Sequence, residues 1–417
     1  MSRFFAAVAI VSVLLAMPTC SAQSRYDPLN FYKYTKLSVC PDSLFAELVQ
    51  PLGYPWEAHT TVTEDAYVLK LYRIQRKGGS IVPGKRVVFL QHGLIDSADN
   101  WVINEDKGSL GLILANKGYD VWLGNSRGNK YSRINNKVTP AQATFWDFSF
   151  QEMGQYDVKA NIEYITRITG QEKLTYVGHS QGTSQMFAAL SRPETTSFVN
   201  SKVNKFIALA PIVYLVNSAS KLLIDVSKNT FFVDAAKTFG SNEWLTGACS
   251  STSAQSQFEN FVCSVDAKLC DWLLNISDYS PKYDNEARLP TISKHMPSGT
   301  SLRTLLHYSQ YLTQKDPFYP VFNMYDFGRT ENKRRYGQVA PPGYDLGLIN
   351  IPIRGFVGVQ DKLGDPRDNS ILRAKLNQLG KDYKDYVIDD CGHMTFMWPL
   401  YPEVIFKDVL AEIDSAK

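Results

Sequence analysis

Hydrophobic positions along the chain follow two periods, and each change of period marks an element. Residues 56–62 and 67–74 alternate about a turn at Glu64-Asp65, which predicts an antiparallel hairpin. Short apolar runs follow at residues 86–91, 119–123, 173–177, 205–209, 351–359 and 383–388. Runs of that length between turn residues predict strands buried on both faces, and segments with helical spacing separate them. Strands alternating with helices predict an α/β fold, a mostly parallel sheet covered by helices on both faces, with chemistry at the carboxyl ends of the strands. From residue 212 to 344 this rhythm stops, and aromatics and three cysteines occur without clean alternation. That interval predicts a cap and lid inserted between core segments 23–211 and 345–417.

Composition narrows the class. The chain has 417 residues, 44% of them hydrophobic, enough for a large core plus an insertion. A net charge of +3 spread along the chain excludes the basic stripe of a nucleic-acid binder, and the cluster Lys333-Arg334-Arg335 reads as a solvated loop. Arg3 precedes an apolar stretch at 4–17, and small and polar residues follow through Ala22, so residues 1–22 read as a signal peptide. That places the protein outside the cell or in a lysosomal or vacuolar lumen. No later run reaches the roughly 18–20 apolar residues of a membrane span.

Six cysteines occur, at 20, 40, 249, 263, 270 and 391, and the first leaves with the signal peptide. Cys249, Cys263 and Cys270 lie close together, which in that compartment favours one local disulfide. There is no C-x-x-C pair and no His pair at ligand spacing, so no metal or other cofactor is expected. Asn275-Ile276-Ser277 is an N-glycosylation acceptor.

The chemistry-bearing motif follows the strand at 173–177. Gly178-His179-Ser180-Gln181-Gly182 runs into a helical stretch at 183–190, the context of a nucleophile elbow in which the glycines leave room for the turn and Ser180 projects its hydroxyl. A serine needs a base and an orienting acid, which follow the nucleophile in the chain in this fold. Of the downstream histidines, His295 and His307 fall in the cap, whereas His393 follows the last strand. His393 is therefore the candidate base. Asp361 ends the strand at 351–359 and is the candidate acid, with Asp365 and Asp368 in the same loop, and Asp326 in the cap, as competitors. The amide of Gln181 is one candidate oxyanion donor and the amide of Leu94, after the strand at 86–91, the other. His92 reads as a residue holding that loop.

Several segments are far more specific than the elbow: FLQHGLIDSADNW from Phe89, GYDVWLGNSRGNKYS from Gly118, FWDFSFQEMGQYDV from Phe145, YVGHSQGT from Tyr176, MPSGTS from Met296, YGQVAPPGYDL from Tyr336, DKLGDPRD from Asp361 and CGHMTFMW from Cys391. Together they resemble the acid lipase family, which includes gastric and lysosomal acid lipases, over nearly the whole chain after the signal peptide. The resemblance implies an α/β-hydrolase with Ser180, Asp361 and His393 as triad, Leu94 and Gln181 as oxyanion amides, and a mobile lid over an acyl-binding cleft. It also implies a disulfide most like Cys249–Cys263, with Cys270 free. The chain departs from the family at Ala66, where a hairpin-turn glycine is usual, in the spacing of the cap cysteines, and at Cys391, two residues before His393.

The function expected is a lipase or sterol esterase working as a monomer on lipid esters at an oil–water or membrane interface. A carboxylesterase for short soluble esters and a non-catalytic lipid-binding protein are the alternatives. A histidine base must be neutral, and a free one titrates near about 6.5. Activity in acid thus requires burial of His393 to outweigh the charge of Asp361.

Overall fold

The computed structural model describes residues 39–220, 224, 242–244, 277–279, 281–313 and 320–416. The signal peptide, Cys20, Cys249, Cys263, Cys270, Asn275 and part of the expected cap and lid at 212–344 lie outside the described residues. Cys40 takes part in a disulfide, and Cys391 is a free, buried thiol.

Strands β1 (Trp56–Val62) and β2 (Tyr67–Ile74) form the hairpin, paired from Trp56 opposite Ile74 to Val62 opposite Val68. Ala66 closes its turn at φ 78°, a left-handed conformation that glycine adopts more cheaply. The remaining strands are β3 (Val87–Gln91), β4 (Asp120–Gly124), β5 (Ile134–Asn135), β6 (Leu174–His179), β7 (Val203–Leu209), the two-residue pieces β8 (Glu243–Trp244) and β9 (Thr300–Ser301), β10 (Ile353–Gly358) and β11 (Tyr383–Ile388). The main sheet runs β1-β2-β4-β3-β6-β7-β10-β11, with β5 beside β2 and every pair from β4 to β11 parallel. β8 and β9 pair with each other apart from it.

Cover on both faces explains the continuous apolar runs except 383–388, whose strand β11 lies at the sheet edge and leaves Lys384 and Val387 exposed. Along β3, Val87 and Phe89 enter one hydrophobic cluster while Val88 and Leu90 enter another, and along β7 Phe206 and Ala208 alternate in the same way with Ile207 and Leu209. The described part of the 212–344 interval packs on this core. Tyr308 and Tyr311, on helix Leu302–Leu312, join the first cluster, and Ile292, on helix Leu289–His295, joins the second. Among the described residues no helix is long and apolar enough to cross a membrane.

A buried charge cluster ties that interval to the loop after β3. Lys130 Nζ lies 2.7 Å from Asp99 Oδ2 and donates to the His295 carbonyl at 2.7 Å, while His295 Nδ1 meets the same carboxylate at 2.8 Å. Tyr131 donates its hydroxyl to Asp99 at 3.0 Å, and Ser298 N–H reaches Ile95 O at 2.7 Å. Burial works against the Asp99 carboxylate, but Lys130 and His295 outweigh it and hold its pKa below the usual range. Removing one partner of such a pair strands the other in a dry site. Lys130→Met should therefore cost roughly 3–5 kcal/mol of stability, read from guanidinium unfolding midpoints. An unchanged midpoint would show that the cluster does not hold the fold together.

Candidate active site

Four loops meet at the carboxyl ends of neighbouring parallel strands: residues 92–95 after β3, Ser180 after β6, Asp361 after β10 and His393 after β11. Ser180 sits between β6 and helix Gln181–Leu190 at φ 52°, ψ −119°. A non-glycine residue held there stores on the order of 1–3 kcal/mol, which the surroundings must offset. They do so through Ser180 N–H to Leu209 O at 3.0 Å and Thr183 Oγ to Ser180 O at 2.6 Å. The glycines of the motif are required by contact. A Cβ on Gly178 would lie 2.7 Å from the Gly182 carbonyl carbon, and one on Gly182 would strike the backbone of Gln91 and His92.

The hydroxyl of Ser180 donates to His393 Nε2 at 2.7 Å, and His393 Nδ1–H donates to Asp361 Oδ2 at 2.8 Å. The other oxygen of Asp361 accepts from the amides of Leu363 and Gly364 at 2.8 and 2.7 Å, which sets the carboxylate's orientation. All three residues are buried. Burial pulls the His393 pKa down, but the charge and hydrogen bond of Asp361, with the charge of Asp278, outweigh it and leave a net rise above 6.5. Such a chain can pass a proton from a hydroxyl to an imidazole whose positive charge a carboxylate then stabilises.

The competing acids are engaged elsewhere. Asp365 caps helix Pro366–Gln378 through Arg367 N–H, Asp368 accepts from Asn217, and Asp326 accepts from Gly328 N–H and Asn332. The other downstream histidines are also away from Ser180. His295 pairs with Asp99, while His307 lies against Ser149 Oγ and Phe150, its pKa lowered by burial to about 3. His92 accepts from Ser126 N–H at 3.0 Å and bonds the Gly93 carbonyl at 2.8 Å, so its ring holds the loop that leads to Leu94. Gly93 lets that loop close on the serine, because a Cβ there would lie 3.1 Å from Ser180 Cβ. Gln181 opens its helix, where amides lack an intrahelical acceptor.

Two neighbours of His393 were not singled out from the sequence. His179 Nε2–H donates to the His393 carbonyl at 2.9 Å, and the carboxylate of Asp278 accepts the His393 N–H. His179 lies inside the elbow motif, so its position was visible although its target was not. Asp278 lies 115 residues from His393 in an irregular stretch, and no spacing signals it.

Comparison with known proteins agrees with this architecture. Residues 86–400 match the alpha/beta hydrolase fold family, and residues 45–105 match the partial alpha/beta-hydrolase lipase region. Gastric triacylglycerol lipase of Homo sapiens is 35% identical over 89% of this chain and 91% of its own, and lipase member K of Mus musculus is 33% identical over 97% and 98%. Lipase lipl-1 of Caenorhabditis elegans is 35% identical over 87% and 89%. A solved chain from Sulfolobus solfataricus, 14% identical, shares the fold with a TM-score of 0.51 over 84% of this chain and 90% of its own. The chain belongs to the acid lipase family of α/β-hydrolases, the family of the gastric triacylglycerol lipases.

Proposed function

We propose that this protein is a secreted or lumenal serine lipase that hydrolyses carboxylic esters of long-chain lipids, triacylglycerols or sterol esters. The observation that carries the reading is the hydrogen-bonded chain Ser180–His393–Asp361 with its serine on a strained elbow. Ser180 Oγ attacks the ester carbonyl as His393 Nε2 takes its proton, and Asp361 stabilises the imidazolium. The amides of Leu94 and Gln181 receive the oxyanion, and His393 returns the proton to the departing alcohol. Water, deprotonated by His393, then releases the fatty acid and regenerates Ser180. The named activity of the gastric relatives supports a lipid substrate. Ser180 is only 7% exposed, which supports a cap spanning 212–344 whose lid moves aside at a lipid surface.

Hydrolysis of emulsified long-chain triacylglycerol, cholesteryl ester and a short soluble ester over about pH 4–8 tests the reading. The wild type should cleave the emulsified esters, and Ser180→Ala should lose about 10⁴-fold or more in kcat. Cleavage of the short ester alone would move the assignment to a carboxylesterase. Retention of activity by Ser180→Ala would sink the mechanism.

Gly93→Ala should lower kcat on the soluble ester by about 10–100-fold, because its Cβ would press on Ser180 and displace the Leu94 amide. A wild-type kcat would remove that loop from the oxyanion site.

The direction of the His393 shift sets the pH response. The imidazole is neutral above its raised pKa and protonated below it, so kcat/KM on the soluble ester should fall on acidification through a value above 6.5. A limb centred below 6.5 would show that burial prevails over the two carboxylates.

A further inference from the structure

The backbone of His393 is held from both ends, and one of the holders is a second buried carboxylate. Besides the His393 N–H, Asp278 faces Met394 N–H at 3.4 Å from Oδ2, which also accepts from Ser277 Oγ at 2.9 Å. Its own backbone forms an antiparallel bridge with Asp361, flanked by Lys362 N–H to Ser277 O at 2.8 Å and Tyr279 N–H to Gln360 O at 2.9 Å. The site is closely fitted. A Cβ on Gly392 would collide with the Asp278 carboxylate, and Asp278 is 3% exposed. Asp284 secures the next turn of the same loop, accepting from Thr395 Oγ, which in turn accepts Gly392 N–H at 2.8 Å.

We propose that Asp278 is a positioning residue for the catalytic histidine, fixing the His393 backbone with its carboxylate and favouring the imidazolium with its charge. The inference rests on the triad reading above. The backbone bond sets where the ring stands between Ser180 and Asp361. The charge sets how readily the ring keeps a proton, because a buried carboxylate this near acts through little screening.

The groups facing Asp278 are Asp361 across the bridge, Asp284 on its own segment, Lys362 on the loop after β10, and His393 with the Cys391 thiol on the loop after β11. Burial and the nearby Asp361 push the Asp278 carboxyl up to about 7, against the lowering pull of His393. A carboxyl raised that far takes up a proton as the medium turns acid. The pull is mutual: an imidazolium at His393 lowers the Asp278 pKa as the carboxylate raises that of His393, so the pair takes up its protons together.

Two variants test this, made in a host without N-glycosylation because Asp278→Asn creates an N-x-S acceptor with Tyr279 and Ser280. The readouts are the pH dependence of kcat/KM on a soluble ester and of fluorophosphonate labelling of Ser180. Asp278→Asn keeps an acceptor for the His393 N–H and removes the charge. Both acid limbs should move to lower pH by about half a unit or more. Asp278→Ala removes the acceptor as well, and kcat should drop by about 10–100-fold at unchanged KM, with Asp278→Asn recovering most of the loss. Limbs that coincide with the wild type in Asp278→Asn, or a wild-type kcat in Asp278→Ala, overturn the proposal. If Asp278→Ala does not fold, the limbs of Asp278→Asn decide alone. Failure of Ser180 to label in the wild type would instead overturn the triad reading itself.

Discussion

The left-handed backbone of Ser180 is the constraint on which the site depends. A serine at φ 52° is held only because neighbours approach too closely for any other course of the chain, with Gly178 against Gly182 and Gly182 against Gln91 and His92. That approach follows from the sheet. β3 and β6 are parallel neighbours in register from Val88 opposite Thr175 to Gln91 opposite Gly178, so both chains leave the sheet at the same level. The strain at Ser180, the closeness of the Gly93 loop and the exit of the helix after Ser180 are thus one arrangement.

Electrostatics then divides the work among buried groups. Asp361 is tied by two amides and bonds the ring, whereas Asp278 bonds the backbone of the same residue. Both favour the imidazolium, and burial opposes them. Activity in acid is a contest between burial and the charge of Asp361 at the imidazole. The structure adds a second carboxylate on the side of the charged ring, and His393 is raised. A raised Asp278 differs from a fixed charge because it is itself a proton acceptor.

What was legible in the sequence follows from which interactions leave a periodic or local trace. Strand bounds did: residues 67–74, read from alternation, and 383–388 carry the observed bounds of β2 and β11, although β11 lies at the sheet edge with Lys384 and Val387 exposed rather than buried on both faces. The elbow did, because its strain must be relieved by nearby glycines. Ser180, Asp361 and His393 were chosen from chain order and strand ends, and these three side chains do meet. Asp278 and His179 escaped because they act on the His393 peptide, and a hydrogen bond to backbone demands no particular residue type there. Helix bounds were softer. The helix read at 183–190 begins at Gln181, since its first turn carries the oxyanion candidate rather than an apolar face.

The same distinction explains why the inserted interval read as featureless. Its described parts attach to the core through the buried face of helix Leu302–Leu312, with Leu305, Tyr308 and Tyr311, and through single polar and aromatic contacts: His295 on Asp99, His307 on Phe150, Asp278 on His393, Asp284 on Thr395. The single contacts have no period, so the pattern of apolar positions showed chiefly that the strand–helix alternation stopped. Two of them nevertheless grip the loop that carries the base. The described interval therefore does more than pack on the core, because any displacement of residues 277–279 that breaks the Asp278 bond must also loosen His393.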